Sequence, residues 1–482
     1  MAITKVTTSM KTAPTSAEVT AHVVATDTTG IEDDIALLGF RVASNGSFAK
    51  YNLVDQTIDG FEDTSGVDAS ASTNEIRNSS NYYSGVVEGA YTIDAYTSVA
   101  TFTKTFAAGT IEAEILVVAG GGGGGGQYYA GAGGAGGIVW DADYAVVAGV
   151  EYDGAVGAGG TGGNPSYIGA NGGNSIWNTN AEGSGLLFTA NGGGGGNDSS
   201  GVGAAGGSGG GAGANSTPGA SNQSSFSGAT SYGNAGGTTN PSEGGGGGGA
   251  SAAGGAGGVS SRGGQGGAGQ LFSSFVAYGT DSSNVASTGS NGGYFGGGGG
   301  GAGGTSYGPI YYGYAGVGGG GIGGSYAGGA PTAPSSAIDG TGGGGGGSSW
   351  NTGTVGGDGG NGIVLIRSRP HSFNNMTLIA NSTTAQDGAP TKGDLVMTYT
   401  DGIGTTTVNT DLKAYVSRDN GTTYTQGTLV SQGTTGGHTI LTFHDLDISG
   451  QPSGTAMRYK IETLNQSVSK ATRIQAVSLG WS

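Results

Sequence analysis

Hydrophobic positions follow three different rules along the chain. In residues 1–27 they alternate only modestly, at Ile3, Val6, Val19 and Val23, which reads as extended chain or a strand. The next stretch, Asp27-Thr28-Thr29-Gly30-Ile31-Glu32-Asp33-Asp34, reads as a helix start, with a capping Thr and acids at the positive end of the helix dipole. Ile31, Ile35, Leu38 and Val42 then follow at helical spacing until Asn45-Gly46 stops them. A second short period passes through Leu53, Ile58 and Phe61 before the segment around Gly66. One apolar stripe per short helix cannot fold alone. Such helices pack on a second copy, on another protein or on the chain's own strands.

From Tyr91 the pattern becomes that of strands: Tyr91–Tyr96, Val99–Phe106 and Ile111–Ala119. The last begins alternating and ends continuously apolar, as a strand does when it runs from a surface into a buried sheet. Seven glycines, Gly120 to Gly126, follow at once. Far downstream Gly359-Gly360-Asn361-Gly362 leads into Ile363-Val364-Leu365-Ile366 in mirror fashion, so the two apolar strands are expected to pair as the base of what lies between. Beyond residue 371 alternation returns at Asp394–Tyr399, Leu412–Val416, Thr439–Phe443, Met457–Ile461 and Ile474–Leu479. Turn signals separate these runs at Asp401-Gly402, Asn420-Gly421, Gly436-Gly437 and Gly450-Gln451-Pro452, and the whole reads as an antiparallel β-sandwich.

Composition changes the picture in the middle. Of 113 glycines, 93 lie within residues 119–362, so an ordinary apolar core is ruled out there. Collagen needs glycine at every third position and abundant proline, and six prolines without a strict triplet do not supply it. A flexible linker would suit the entropy of glycine but not the bracketing strands or the aromatic inserts. The remaining solution is a bundle of polyglycine II segments, with three residues per turn and every N–H and C=O pointing outward to a neighbour. Tracts of about six residues at ~3.1 Å each would make a slab roughly 20 Å deep. The fold class is therefore mainly β plus polyglycine II: a small α/β N-terminal region over residues 1–110, a glycine-rich domain over 111–370 and a C-terminal antiparallel β-sandwich over 371–482.

The formal charge is −17, and residues 119–362 carry Arg262 as their one cation against ten acids. No basic patch is present to neutralise several phosphates, so nucleic acid is not an expected partner. An acidic chain is repelled by anionic lipid, and no apolar run is long enough for membrane insertion. The chain contains no cysteine, which removes disulfides and thiolate metal sites. Its first residues, Met1-Ala2-Ile3-Thr4-Lys5-Val6, show no signal-peptide pattern.

Candidate chemistry is sparse. None of His22, His371, His438 and His444 stands in a metalloprotease spacing, and no Gly-Lys-Ser/Thr follows a glycine tract. Asp445 and Asp447 share a strand face and form a weak Ca²⁺ candidate; a solvated strand face is the plainer explanation. Ser417-x-Asp419-x-Gly421-x-x-Tyr424 nearly matches an Asp-box hairpin, a turn-fixing motif that in a single copy implies no glycosidase. No enzyme and no cofactor are expected. What remains are inserts of Tyr, Ser, Asn and Gly, a composition used by antibody paratopes and suited to stacking on sugar rings. The candidates for ligand contact are Tyr307, Tyr311, Tyr312, Tyr314, Tyr294, Phe295, Tyr278, Phe272, Tyr326 and Tyr232. These inserts are expected at the ends of the slab, whose interior has no room for a ring.

The run Ile115–Ala119 into Gly120–Gly126, the later tracts and the exit Gly359–Ile366 resemble the glycine-rich domain of bacteriophage tail-fibre adhesins. The phrases Ile35–Phe40 with Ala49–Gln56, Val416–Tyr424 and Asp447–Thr455 are similar to segments of phage proteins from marine samples. That resemblance implies a polyglycine II sandwich whose loops touch a receptor, a host cell-surface glycan or outer-membrane protein. It also implies a place in the virion tail, other tail proteins as partners and a homo-oligomer, with a trimer favoured. A subunit of an extracellular filament or sheath is the alternative class, in which the same arm and loops contact identical copies.

Overall fold

A strand that is apolar on both faces needs a cover on both, and Glu112–Val118 has two. The structure, a computed structural model, describes residues 50–52, 55–164, 168–183, 185–198, 201–240, 243–258, 262–304, 311–327, 330–349 and 354–482. Glu112–Val118 is the middle strand of a five-stranded sheet. Ile138–Ala145 and then Thr230–Tyr232 lie on one side of it, and Ile363–Ser368 and then Thr92–Tyr96 on the other. The expected pairing of the bracketing strands is present and antiparallel, with Ile363 opposite Val118 and Ile366 opposite Ile115. Ile115, Val117, Val364 and Ile366 face a cluster completed by Phe106, Tyr152, Trp177 and Phe188. Leu116, Val118, Ile363 and Leu365 face the other way, onto Phe272, Phe275, Phe295 and Ala250.

Beyond this sheet the chain is held by amides rather than by side chains. Gly120 and Gly123 donate to Gly173 and Ala170, Gly121 and Gly124 to Gly360 and Gly357, and Gly122 and Gly125 to Gly134 and Gly131, all at 2.8–3.0 Å. The same tract accepts from Gly193 and Gly196, from Gly160 and Gly163, and from Gly345 and Ser348. Each neighbour is therefore met once every three residues, the period of polyglycine II. The three tracts that accept run antiparallel to it and the three that donate run parallel, so six neighbours surround one tract. A Cβ on any residue from Gly121 to Gly125 would fall 1.9–2.2 Å from a neighbour's carbonyl oxygen.

Outer tracts keep the same period on their exposed side. Ala158, Thr161 and Asn164 are exposed in one, and Arg262, Gln265 and Ala268 in another, with buried or half-buried residues between them. Some edge amides that lack a backbone acceptor take a side-chain oxygen at three-residue spacing instead. Gly192 and Gly195 donate to Oδ1 of Asn174 and Asn171, and Gly159 and Gly162 to Oδ1 of Asn361 and Asp358, at 2.7–2.9 Å.

The second unit is a β-sandwich whose alternating strands lie where the hydrophobic pattern puts them. Lys392–Ile403, His438–Asp447 and Ala471–Trp481 belong to one sheet, and Leu412–Ser417 and Ala456–Thr463 to the other. Leu395, Met397, Leu441 and Val477 meet Ala414, Val416, Tyr459 and Ile461 between them. The described residues up to 88 group with 371–482, and residues 89–370 form the glycine unit. Two expectations are corrected. The helical period through Ile58 is instead the strand Gln56–Asp59, which pairs along Ala471–Trp481 and sends Ile58 and Phe61 inward. The five-residue gap from Leu53 to Ile58 breaks a helical stripe, whereas the open edge of a long strand satisfies the same backbone. Asp401-Gly402 is not a turn but an irregular step inside Lys392–Ile403. The helix expected from Ile31 to Val42 and the strand before it lie outside the described residues. Among the described residues the one helix is a 3₁₀ turn, Ser273–Phe275.

Two carboxylates tie the sandwich together and make it sensitive to acid. The hydroxyl of Ser70 and the guanidinium of Arg458, 2.7 Å away, hold Asp68 down to about 2. At Asp411 burial pushes upward, but hydrogen bonds from Asn465, Lys470 and the Thr407 amide outweigh it and bring the carboxyl to about 2. Both values lie below the unfolded value of about 3.9. The stabilisation is therefore complete above about pH 5 and is lost as pH falls from 4 to 2. The melting temperature of the sandwich is expected to drop across that window, and less steeply in Asp68→Asn. Equal slopes for parent and variant would refute the assignment.

Candidate functional site

The ten aromatic candidates separate into two groups and two outliers. Phe272 and Phe295 are not on the surface: they are 5% and 0% exposed and belong to the cover on the lower face of the central sheet. Tyr232 meets Phe272 edge-on at 5.7 Å, and burial raises its phenol. Tyr278 packs against the same cluster and lines a cavity of about 390 Å³ with Asp339 and Asn361. Tyr294, half-buried, exchanges backbone hydrogen bonds with Thr280. The insert 270–295 therefore forms a lid on the sheet. A sheet with two apolar faces required such a lid, and these rings supply it.

Tyr311, Tyr312 and Tyr314 have a different setting. They do not sit in a loop at the end of the slab, as expected, but in an outer tract of the lattice. The carbonyls of Tyr311, Tyr314 and Val317 accept from Gly263, Gly266 and Gly269, while Gly313 and Gly316 donate inward to Gly301 and Gly298. The glycines take the interior positions of the three-residue turn and leave the tyrosines outside. Tyr314 is 42% exposed, Tyr311 and Tyr312 are half-buried, and the rings of Tyr312 and Tyr314 meet edge-on at 5.6 Å. Across from them, the guanidinium of Arg262 lies 5.9 Å from the centre of the Tyr314 ring. Gly255, Ala256, Arg262, Gly263, Gln265, Tyr312 and Tyr314 line a groove of about 580 Å³ on this side of the slab. Its floor is glycine and alanine backbone, its walls are rings, and its one charge is positive.

Tyr326 stands apart, half-buried in the hairpin Ser325–Ala327 with Ala330–Thr332. Tyr307 lies outside the described residues. Arg262 and Gln265 were not among the sequence candidates. Their signal was the spacing Arg262-x-x-Gln265, which equals one turn of the tract and puts both on one exposed line.

The remaining motifs are structural. Ser417 Oγ donates to Asp419 Oδ1 at 2.7 Å and accepts from the Gly421 amide at 2.8 Å, while Asp419 accepts from the amide and hydroxyl of Thr423. Asn420 and Gly421 have φ of 61° and 83°, so the Asp-box phrase builds a hairpin turn. Asp445 is paired to Lys392 at 2.5 Å, and Asp447 accepts from the Ser449 amide at 2.9 Å. Among the described residues no three His, Asp or Glu side chains cluster as a metal site.

Among known proteins, no curated protein matches the chain. The family model for the glycine-rich domain matches residues 97–369, nearly the whole of the unit spanning residues 89–370. With more than half of its residues inside that match, the chain belongs to the glycine-rich domain family.

Proposed function

We propose that the chain is a receptor-binding protein of a bacteriophage tail fibre, without catalytic activity, that grips a host surface glycan or outer-membrane protein through the lateral face of its glycine unit. The observation that carries this reading is the open Tyr312–Tyr314–Arg262 groove, set on a lattice whose backbone amides are cross-bonded in every direction. Rings anchored in such a frame lose little entropy on binding, which favours recognition by stacking. The resemblance of the flanking strands and tracts to tail-fibre adhesins supplies the virion context. In this reading residues 1–49 attach to other tail proteins, and the protein works outside the cell after release.

The test is to label the purified protein and measure which bacterial isolates it coats. Tyr312→Ala combined with Tyr314→Ala is expected to weaken coating at least tenfold while the melting temperature of the glycine unit stays unchanged. Truncating a ring that carries a contact costs on the order of 1–2 kcal/mol each. If the double variant coats normally while deletion of residues 371–482 abolishes coating, the sandwich is the receptor module. If the protein coats no isolate and instead assembles into filaments, the adhesin reading fails.

A further inference from the structure

We infer that the groove selects an anionic sugar, a pyranose unit carrying a carboxylate or a phosphate, with Arg262 and Gln265 as the residues that choose it. This rests on the proposed function and deepens it. Arg262 is the one Lys or Arg in residues 119–362, against ten acids, and it stands at the groove rather than elsewhere on the unit. Among the described residues no carboxylate pairs with it; its one ring contact is Tyr314. A guanidinium is a planar fork that matches carboxylate and phosphate oxygens two at a time, which gives it geometric selectivity as well as charge.

Gln265 lies one turn further along the same tract. Three residues at ~3.1 Å separate the two side-chain origins by about 9 Å, enough to span one sugar ring and its substituents. The amides of Gln265 and Ala268 donate to no backbone carbonyl among the described residues, whereas those of Gly263, Gly264, Gly266 and Gly267 are all committed to the lattice. The exposed line of this tract thus carries a cation, a carboxamide and outward amides. At the Asn171–Asn174 and Asp358–Asn361 edges, comparable amides are already occupied by Oδ1 atoms. The glycine and alanine floor lets a ring descend to the backbone, and Tyr314 offers it a face to stack on. A neutral sugar would use the ring and the floor but leave the guanidinium unanswered. A strongly acidic chain would otherwise repel an anion, so the single cation sets selectivity at this place.

The experiment uses the full chain and three probes: trigalacturonate for the carboxylate, mannose 6-phosphate for the phosphate and maltotriose as the neutral control. Binding is measured by titration at low and at physiological salt. One charged probe is expected to bind at least tenfold tighter than maltotriose, and the identity of that probe tells carboxylate from phosphate. Arg262→Gln is expected to remove the tenfold preference without moving the melting temperature, because the side chain is exposed and holds nothing in the lattice. Equal affinity for charged and neutral probes overturns the inference, as does a preference that survives Arg262→Gln. If the preference is absent yet the Tyr312→Ala, Tyr314→Ala variant still loses cell coating, the groove remains the recognition surface and only its anionic ligand falls. If that variant coats cells normally as well, the adhesin reading of this face falls with it.

Discussion

Replacing Gly246 or Gly298 by valine lowers the melting temperature of the glycine unit by on the order of 10 °C. The Cβ of residue 246 would sit 1.9 Å from the carbonyl oxygen of Gln265, and that of residue 298 would sit 2.2 Å from the carbonyl oxygen of Gly247. Neither neighbour is a flexible side chain that can swing away. The tract must separate, and two bonds go with it in each case. Gly246 donates to Gly255 and accepts from Gly237; Gly298 donates to Gly267 and accepts from Gly316. Each amide or carbonyl left buried without a partner costs about 1–3 kcal/mol. Ala256→Val is the control: the residue is exposed on an outer tract, and a surface change of that kind stays within about 0.5 kcal/mol. Calorimetry that resolves the two units is the measurement. If both glycine variants melt like the parent, the tracts are not packed as described.

Arg418→Met destabilises the sandwich by about 3 kcal/mol or more. Arg418 is 6% exposed, and among the described residues its guanidinium forms no ion pair. It donates instead to the carbonyls of Pro390, Ser449, Gln451 and Pro452 at 2.5–3.2 Å, closing the loops that follow two strands. Methionine fills much of the volume but leaves those carbonyls without donors, and the connection between Ile448 and Pro452 loses its anchor. Arg418→Lys keeps the charge without the fork, so it recovers part of the loss. Urea unfolding followed by the signal of Trp481, the tryptophan of the sandwich unit, reads the change. A methionine variant within 1 kcal/mol of the parent would show that the cluster is incidental.

The sequence made some parts of this fold plain and hid others for physical reasons. Long runs with a strong period were legible. Ile115–Val118 and Ile363–Ile366 could only be a buried pair, and Met457–Tyr459–Ile461 could only face a core. The strands between residues 50 and 84 were not legible, because they are three or four residues long and are held, directly or through one another, on the open edge of Ala471–Trp481 rather than by their own propensity. The aromatic inserts were half legible. Composition marked them as special but could not say which rings cover the sheet. The two-faced apolar pattern of Ile115–Val118 held that answer, since one face needed Phe272 and Phe295. Tyr312 and Tyr314 were found, but their place on a tract rather than in a loop follows from Gly313 and Gly316 at lattice spacing. Arg262 was visible only as a charge count until its turn-by-turn partner Gln265 gave it a direction.

The three-residue period also constrains how such a gene can change length. Adding or removing three residues within a tract restores every side chain to its former azimuth and alters the depth by one turn. Adding one residue instead rotates all that follows by a third of a turn. Positions such as Arg262 and Gln265 would then be driven into the lattice, and glycines would be turned out to solvent. Within a tract the hydrogen-bond lattice therefore accepts changes of length in threes and rejects the rest. The outer positions can therefore be remodelled while the interior keeps its phase.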